Sequence, residues 1–356
     1  VLALEKDPQR IRSGIGKGFG MDGMSAGSID GIITAIRPAR ELAPSYVHAS
    51  VADLPGHTTH QHTLGNPISC SGLGLHGGLP VTLTIRPAAA DAGLVFRRTD
   101  LGLDVAARYD RVVDTRLCTV LAPESHPEAR IATVEHVMAA LSASGIDNAV
   151  IEIDGPEVPV LDGSSAPFLF LIDCAGRVAQ DAPRGAIEIL RTVRVAERDA
   201  FAELRPSRAP GLSLALSIAF EAPAIGRQAY TMRLSEFGFR HELADCRTFT
   251  LRQEIETMRA MGLARGGSLD NAVVVDGDSV LNPAGLRRPD EFVRHKMLDA
   301  IGDLALAGKP LQGAFIGHRS GHGLNNRLLR ALLADRSAWR IVGRPSVDRP
   351  GVRQAA

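Results

Sequence analysis

His295, Asp299 and Asp303 recur at four-residue intervals in D-E-F-V-R-H-K-M-L-D-A-I-G-D-L-A-L-A-G-K-P, the segment from Asp290 to Pro310. On an α-helix that interval sets one imidazole and two carboxylates along a single stripe, while Met297, Leu298, Ile301 and Leu304 take much of the remaining surface. Such a stripe beside an apolar face can form the edge of a metal site. It can equally be an i,i+4 hydrogen-bonded pair on a solvated surface, worth about 0.3 kcal/mol. A catalytic zinc centre needs three protein ligands and an open position for water, so His295 and Asp299 would require one more histidine from elsewhere in the chain.

A candidate stands in A-T-V-E-H-V-M-A-A-L, where Glu135 and His136 are adjacent polar residues at the start of an otherwise apolar helical pattern. His136 can complete the ligand set. Glu135, its distance from the metal fixed by its neighbour, can act as general base, and a helix N-terminus favours its ionised form. Read alone, the pair is also what a capping feature looks like. A third piece, G-H-R-S-G-H-G-L-N-N from Gly317 to Asn326, sets His322 between two glycines in a loop that runs into a helix. Flanking glycines let backbone approach a ligand and leave the imidazole exposed. His322 can then protonate a leaving amine or stabilise an oxyanion, with Asp303 holding its tautomer, or it can be a loop histidine in solvent.

The elements that must carry these residues are legible as an α+β pattern. Val81 to Arg86 alternates like a half-buried strand and Leu94 to Arg98 follows the turn-prone Asp91-Ala92-Gly93. Ile131 to Ser144 reads as a helix with Thr133 as N-cap and Gly145 as its stop, and Asn148 to Ile153 as a strand. Beyond Asp181-Ala182-Pro183-Arg184-Gly185, the best boundary, Ile187 to Glu197, Phe201 to Leu204, Leu212 to Phe220 and Ala272 to Val275 read as strands, with helices following to about Leu333. The helix from Asp290 is expected to run until Gly308 and Pro310 stop it. Strands with helices segregated after them suggest two α+β layers. The expected domains are 65–182 and 183–344, between a poorly ordered extension over 1–64, with one short strand near Ile32 to Ile36, and a tail over 345–356. Within the extension, His57, His60 and His62 could hold a metal loosely, but no carboxylate or cysteine supports them and a solvated linker is the plainer reading.

Composition removes other classes of function. The 356 residues are 45% apolar and 22% charged with no net charge, so a substantial core is within reach and the basic footprint of a nucleic-acid coat is missing. Cys70, Cys118, Cys174 and Cys246 are too scattered for a zinc ribbon or a redox pair, and read as reduced thiols in a cytosolic protein. No apolar stretch approaches the roughly 18 residues of a membrane span, which leaves peripheral contact with the inner membrane as the most to expect.

The pieces T-V-E-H, H-K-M-L-D-A-I-G-D and S-G-H-G-L-N-N resemble signature segments of the UDP-3-O-acyl-N-acetylglucosamine deacetylase family of lipid A biosynthesis. G-L-G-L-H-G-G, V-T-L-T-I-R-P-A, F-R-R-T-D-L, G-I-D-N, P-V-L-D-G-S-S-A-P-F, R-T-F and G-G-S-L-D-N-A-V-V-V are similar to that family in the same order, so the resemblance covers Leu64 to Leu333. It implies two similar α+β domains, each a layer of helices on a β-sheet, with the active site between them and an apolar passage for the acyl chain. It also implies a cytoplasmic monomer with one zinc ion per chain, iron(II) being the competing metal, and a UDP-3-O-acyl-N-acetylglucosamine substrate. His136, His295 and Asp299 match the metal ligands, Glu135 the general base, His322 the general acid and Asp303 its orienting partner. Thr248 matches a threonine that polarises the acetyl carbonyl, Lys296 an active-site lysine, and Phe249 an aromatic that contacts substrate. Thr250 and Leu251 depart from the glycine and aromatic that follow R-T-F in the family, which bears on the acyl passage and not on the metal set. The competing readings are a zinc amidohydrolase acting on another acylated sugar nucleotide and a silent binding relative, the latter having no need for Glu135 and His322 together.

Overall fold

The computed structural model describes residues 59–343. The first half of that span runs β1 (His60–Leu64), β2 (Ile68–Leu73), β3 (Pro80–Pro87), β4 (Leu94–Arg98), β5 (Leu103–Ala106), β6 (Val112–Asp114), β7 (Val120–Leu121), α1 (Glu135–Ala143), β8 (Ala149–Ile153), α2 (Ala166–Ala175) and β9 (Arg177–Pro183). The second half runs β10 (Ala186–Ile189), β11 (Val193–Glu197), β12 (Ala200–Arg205), β13 (Leu212–Ala219), β14 (Arg227–Arg233), α3 (Glu236–Glu242), β15 (Phe249–Leu251), α4 (Arg252–Ala260), β16 (Val273–Asp276), β17 (Ser279–Val280), α5 (Glu291–Ala305), β18 (Leu311–His318), α6 (His322–Ala334) and β19 (Trp339–Val342). The class is α+β.

Alternation explains the sheets. In β3, Val81, Leu83 and Ile85 turn inward, and in β8 Ala149, Ile151 and Ile153 do the same, so one face of the five-stranded sheet β2-β3-β8-β4-β5 is apolar throughout. In β13, Leu212, Leu214, Leu216 and Ile218 give the seven-stranded sheet a matching face. In that sheet β18 pairs antiparallel with β12 and parallel with both β10 and β13. α5 packs on β13 and β14, α6 packs on β11 and β12, and α1 lies along α5. A small sheet β15-β16-β17 carries α4. Burying each large aliphatic or aromatic side chain in this core contributes about 2 kcal/mol. Among the described residues no helix is long and apolar enough to cross a membrane.

Several boundaries differ from the pattern. His60 to Leu64, inside the expected extension, form β1 and pair antiparallel with β9; Thr63 and Leu64 are buried there, and a two-stranded ladder between distant segments has no local signature. Thr133 does not cap α1. Its φ is +60°, and its hydroxyl donates to Glu157 instead of accepting from the helix, which begins at Glu135 after Val134. The expected single strand from Ile187 to Glu197 is two, β10 and β11, which join different parts of one sheet. α5 ends at Ala305, ahead of Gly308, whose φ of +80° belongs to the following turn. His57, the strand near Ile32 and the tail from Pro345 lie outside the described residues.

Candidate active site

α1 and α5 should be apolar where they face each other, yet Glu135, His136, His295, Asp299 and Asp303 are all buried at that contact. Buried polar groups are informative because each must be paired or held for a purpose. The i,i+4 stripe on α5 turns toward the start of α1, and Gly302, on the same helix, lets the two backbones meet.

The Nε2 atoms of His136 and His295 lie 3.5 and 3.3 Å from Asp299 Oδ1. Their rings are edge-to-face, with centroids 5.1 Å apart. One ligand atom from each of the three residues falls within 4.8 Å of the others. Asp299 Oδ1 is buried and has no hydrogen-bond partner, although a buried carboxylate oxygen normally accepts at least one. His295 Nδ1 meets the Cys246 carbonyl at 3.0 Å, which makes Nδ1 the protonated nitrogen and leaves the Nε2 lone pair free toward Asp299. Burial pulls the His295 imidazole down to about 4 against the attraction of Asp299, so the ring is neutral as a ligand must be. Two imidazoles and a carboxylate with a bare oxygen are a donor set that fits a divalent ion.

Around this trio the remaining polar groups form a chain. Lys296 Nζ donates to the second Asp299 oxygen at 2.7 Å. Burial alone would raise Asp299 and lower Lys296, but the pairing overrides it: the Lys296 ammonium helps hold the Asp299 carboxyl well below its ordinary range, and Asp299 lifts Lys296 above its own. Glu135 Oε2 accepts the Thr119 backbone N–H at 3.1 Å, while Oε1 stands 3.7 Å from His322 Nε2. Burial pushes the Glu135 carboxyl up, with His322 and His136 opposing. His322 Nδ1 bonds Asp303 Oδ2 at 2.9 Å. Burial would lower His322, but the Asp303 and Glu135 carboxylates win and raise it. Asp303 also accepts from the Thr119 hydroxyl and from Asn325 Nδ2.

The structure therefore brings Glu135, His136, His295, Lys296, Asp299, Asp303 and His322 together. His322 is not an exposed loop residue: it opens α6 and is buried, because β18 ends at His318 and leaves only a short connection. Phe249 is buried between Phe220 and Phe292, its ring 6.2 Å from that of His295. Thr248 sits beside it, half-buried, with its N–H on the Gly163 carbonyl; its hydroxyl bonds none of the described residues. Thr119, Asn325 and the Cys246 carbonyl were missed by sequence reasoning. An alcohol, an amide and a backbone oxygen carry no spacing signal until the helices are packed.

A model of the UDP-3-O-acyl N-acetylglycosamine deacetylase family matches residues 61–334. A UDP-3-O-acyl-N-acetylglucosamine deacetylase of Phenylobacterium zucineum is 53% identical over 284 residues, 79% of this chain and 96% of that protein. Proteins of the same name from Anaeromyxobacter dehalogenans and Brucella melitensis are 50% and 48% identical, over 80% of this chain in each case and 90% and 98% of those proteins.

Proposed function

This chain belongs to the UDP-3-O-acyl N-acetylglycosamine deacetylase family, and we propose from that premise that it hydrolyses the N-acetyl group of UDP-3-O-(3-hydroxyacyl)-N-acetylglucosamine, releasing acetate in the synthesis of lipid A. The observation that carries the reading is the buried trio of His136, His295 and Asp299 beside Glu135 and His322.

His136, His295 and Asp299 would hold zinc, with iron(II) as the competing ion. A zinc ion there supplies Lewis acidity toward the acetamide oxygen and brings the pKa of a water toward neutrality. Glu135, fixed through Oε2 by Thr119, offers Oε1 to take a proton from the attacking water. As the carbon–nitrogen bond breaks, the sugar nitrogen needs a proton. His322 delivers it from Nε2, because Asp303 keeps the other ring nitrogen protonated and shifts the ring toward the imidazolium. Thr248 donates its hydroxyl to the developing oxyanion, Lys296 adds positive charge, and Phe249 offers an apolar face to substrate.

We read the chain as two similar domains meeting at this site, with the division near Pro183 to Gly185. The passage of the backbone from β9 to β10, which lie in different sheets, supports that division. We further read it as a cytoplasmic monomer with at most peripheral inner-membrane contact; four cysteines without disulfides suit a reducing compartment.

The decisive experiment measures acetate release from that substrate by the purified chain, by its Glu135→Ala variant and by the chelated protein. The expected result is turnover that falls about 10²- to 10⁴-fold in the variant and disappears on chelation. A folded, zinc-loaded chain without turnover would rule out the assigned substrate.

A further inference from the structure

The buried ion pair of Arg247 and Glu291 has no share in the chemistry described above. Glu291, in the first turn of α5, is fully buried and both its oxygens are saturated. Oε1 accepts the Arg247 backbone N–H and Nε, each at 2.9 Å; Oε2 accepts Arg247 Nη2 at 3.1 Å and the Arg287 backbone N–H at 2.7 Å. Arg247 Nη2 also donates to the Gly285 carbonyl at 2.8 Å. Removing two charges from water is expensive, and apolar replacements of such a pair are often neutral or stabilising, so stability alone does not account for it.

Its position does. The residue before Arg247 is Cys246, whose carbonyl accepts the Nδ1–H of His295, and His295 lies one helical turn after Glu291. The connections close a ring: Glu291 to the Arg247 backbone, back one residue to the Cys246 carbonyl, across to the His295 imidazole, and along one turn of α5 to Glu291. We propose that Arg247 and Glu291 are positioning residues that fix the Cys246 carbonyl, and through it the rotation and tautomer of His295, so that Nε2 is presented to the metal. The proposal rests on the metal reading of the site given above. Two features of the pair suit the task. The arginine fork bonds the carboxylate through both side-chain and main-chain nitrogens, which holds the backbone itself in place. The carboxylate sits on the helix that carries His295 and Asp299, so any drift of the Cys246 segment relative to the ligands must break bonds inside the core.

The test measures zinc affinity by chelator competition in the full chain and in Arg247→Lys, which keeps the charge without the fork, and Glu291→Gln. Arg252→Ala, which breaks an exposed ion pair with Asp276 on neighbouring elements, serves as the control. Zinc binding should weaken about 10- to 100-fold in the two buried-pair variants, as when other outer partners of ligating histidines are removed, and stay unchanged in the control. A purely structural pair would lower the melting temperature and leave affinity alone; folded variants binding zinc like the parent overturn the proposal. Histidine ¹⁵N resonances of the zinc-loaded parent chain keep the proposal open to refutation even if both variants unfold. They should show His295 with Nδ1 protonated and Nε2 bound, and the opposite assignment overturns the proposal. A parent chain that takes up no zinc defeats the metal reading itself, an outcome distinct from unaltered affinity in the variants.

Discussion

Gly302 of α5 faces the backbone of Glu135 in α1 so closely that a Cβ there would lie 2.0 Å from the Glu135 carbonyl oxygen. No side chain fits that gap without parting the helices. Gly302→Ala should destabilise the fold by about 3 kcal/mol, the upper range for overpacking, despite alanine's better helix propensity. It should also weaken metal binding, because His136 adjoins Glu135 while His295 and Asp299 belong to the helix displaced. Thermal melts and chelator competition on the variant would check both effects; an unchanged melt would refute the close-packing argument.

Asp299 faces two ways, with Oδ1 toward His136 and His295 and Oδ2 on Lys296. Asp299→Asn keeps the shape and removes the charge. Metal content after dialysis should fall well below one ion per chain and activity by at least about a hundredfold. Chelation of the parent chain should abolish turnover and added zinc should restore it. Retention of a full equivalent of metal by the variant would take Asp299 out of the ligand set.

Asp303 accepts from Thr119, His322 and Asn325, all donors. An asparagine there would present an amide group to at least one of them. In Asp303→Asn, kcat should drop about a hundredfold with metal content and KM little altered, if Asp303 orients His322 as the proposed proton donor and stands off the metal. A fall in metal content of the same size would show that Asp303 supports the ligands instead.

Asp114 steadies the segment leading to Thr119. The Arg116 guanidinium, then its backbone N–H and Arg130, hold this carboxyl well below its ordinary range against the effect of burial. A depressed pKa in the folded state contributes stability above the unfolded value of about 3.9 and loses it as pH falls further toward the folded value. Because both arginines are exposed and their attraction is screened by solvent, the contribution at pH 7 is at most about 1 kcal/mol. The melting temperature of Asp114→Asn should therefore lie below that of the parent at pH 7, with the gap closing below pH 4. A gap that widens in acid would reverse the assignment.

The stripe on α5 was legible because helical periodicity is local: residues 295, 299 and 303 share a face whatever else the chain does. Glu135 and His136 were legible as polar residues in an apolar helix. β3 announced itself by alternation, β4 by the turn ahead of it, and β8 and β13 by their strand-like composition. What stayed hidden depends on tertiary contact. The β1–β9 ladder joins segments more than a hundred residues apart, and the strain at Thr133 follows from a bond to Glu157, so propensity says nothing of either. His322 looked exposed because flanking glycines describe the backbone's freedom and not what packs over it. Thr250 and Leu251 lie in β15 and at its end, in register with Val274 and Val275, so the departure from the family falls on the small sheet beside Phe249.

Because His136 belongs to α1 and His295 and Asp299 to α5, no fragment ending before α5 contains the trio. During synthesis α1 emerges with Glu135 and His136 long before the helix that completes them, and such distant contacts form slowly. An ion held by the trio could be captured only once the two helices have docked, and whatever binds the native state alone stabilises it by mass action. On the proposed metal reading, uptake of the ion therefore follows the docking of α1 on α5, and metal starvation during growth should leave the α1–α5 contact as the first to open.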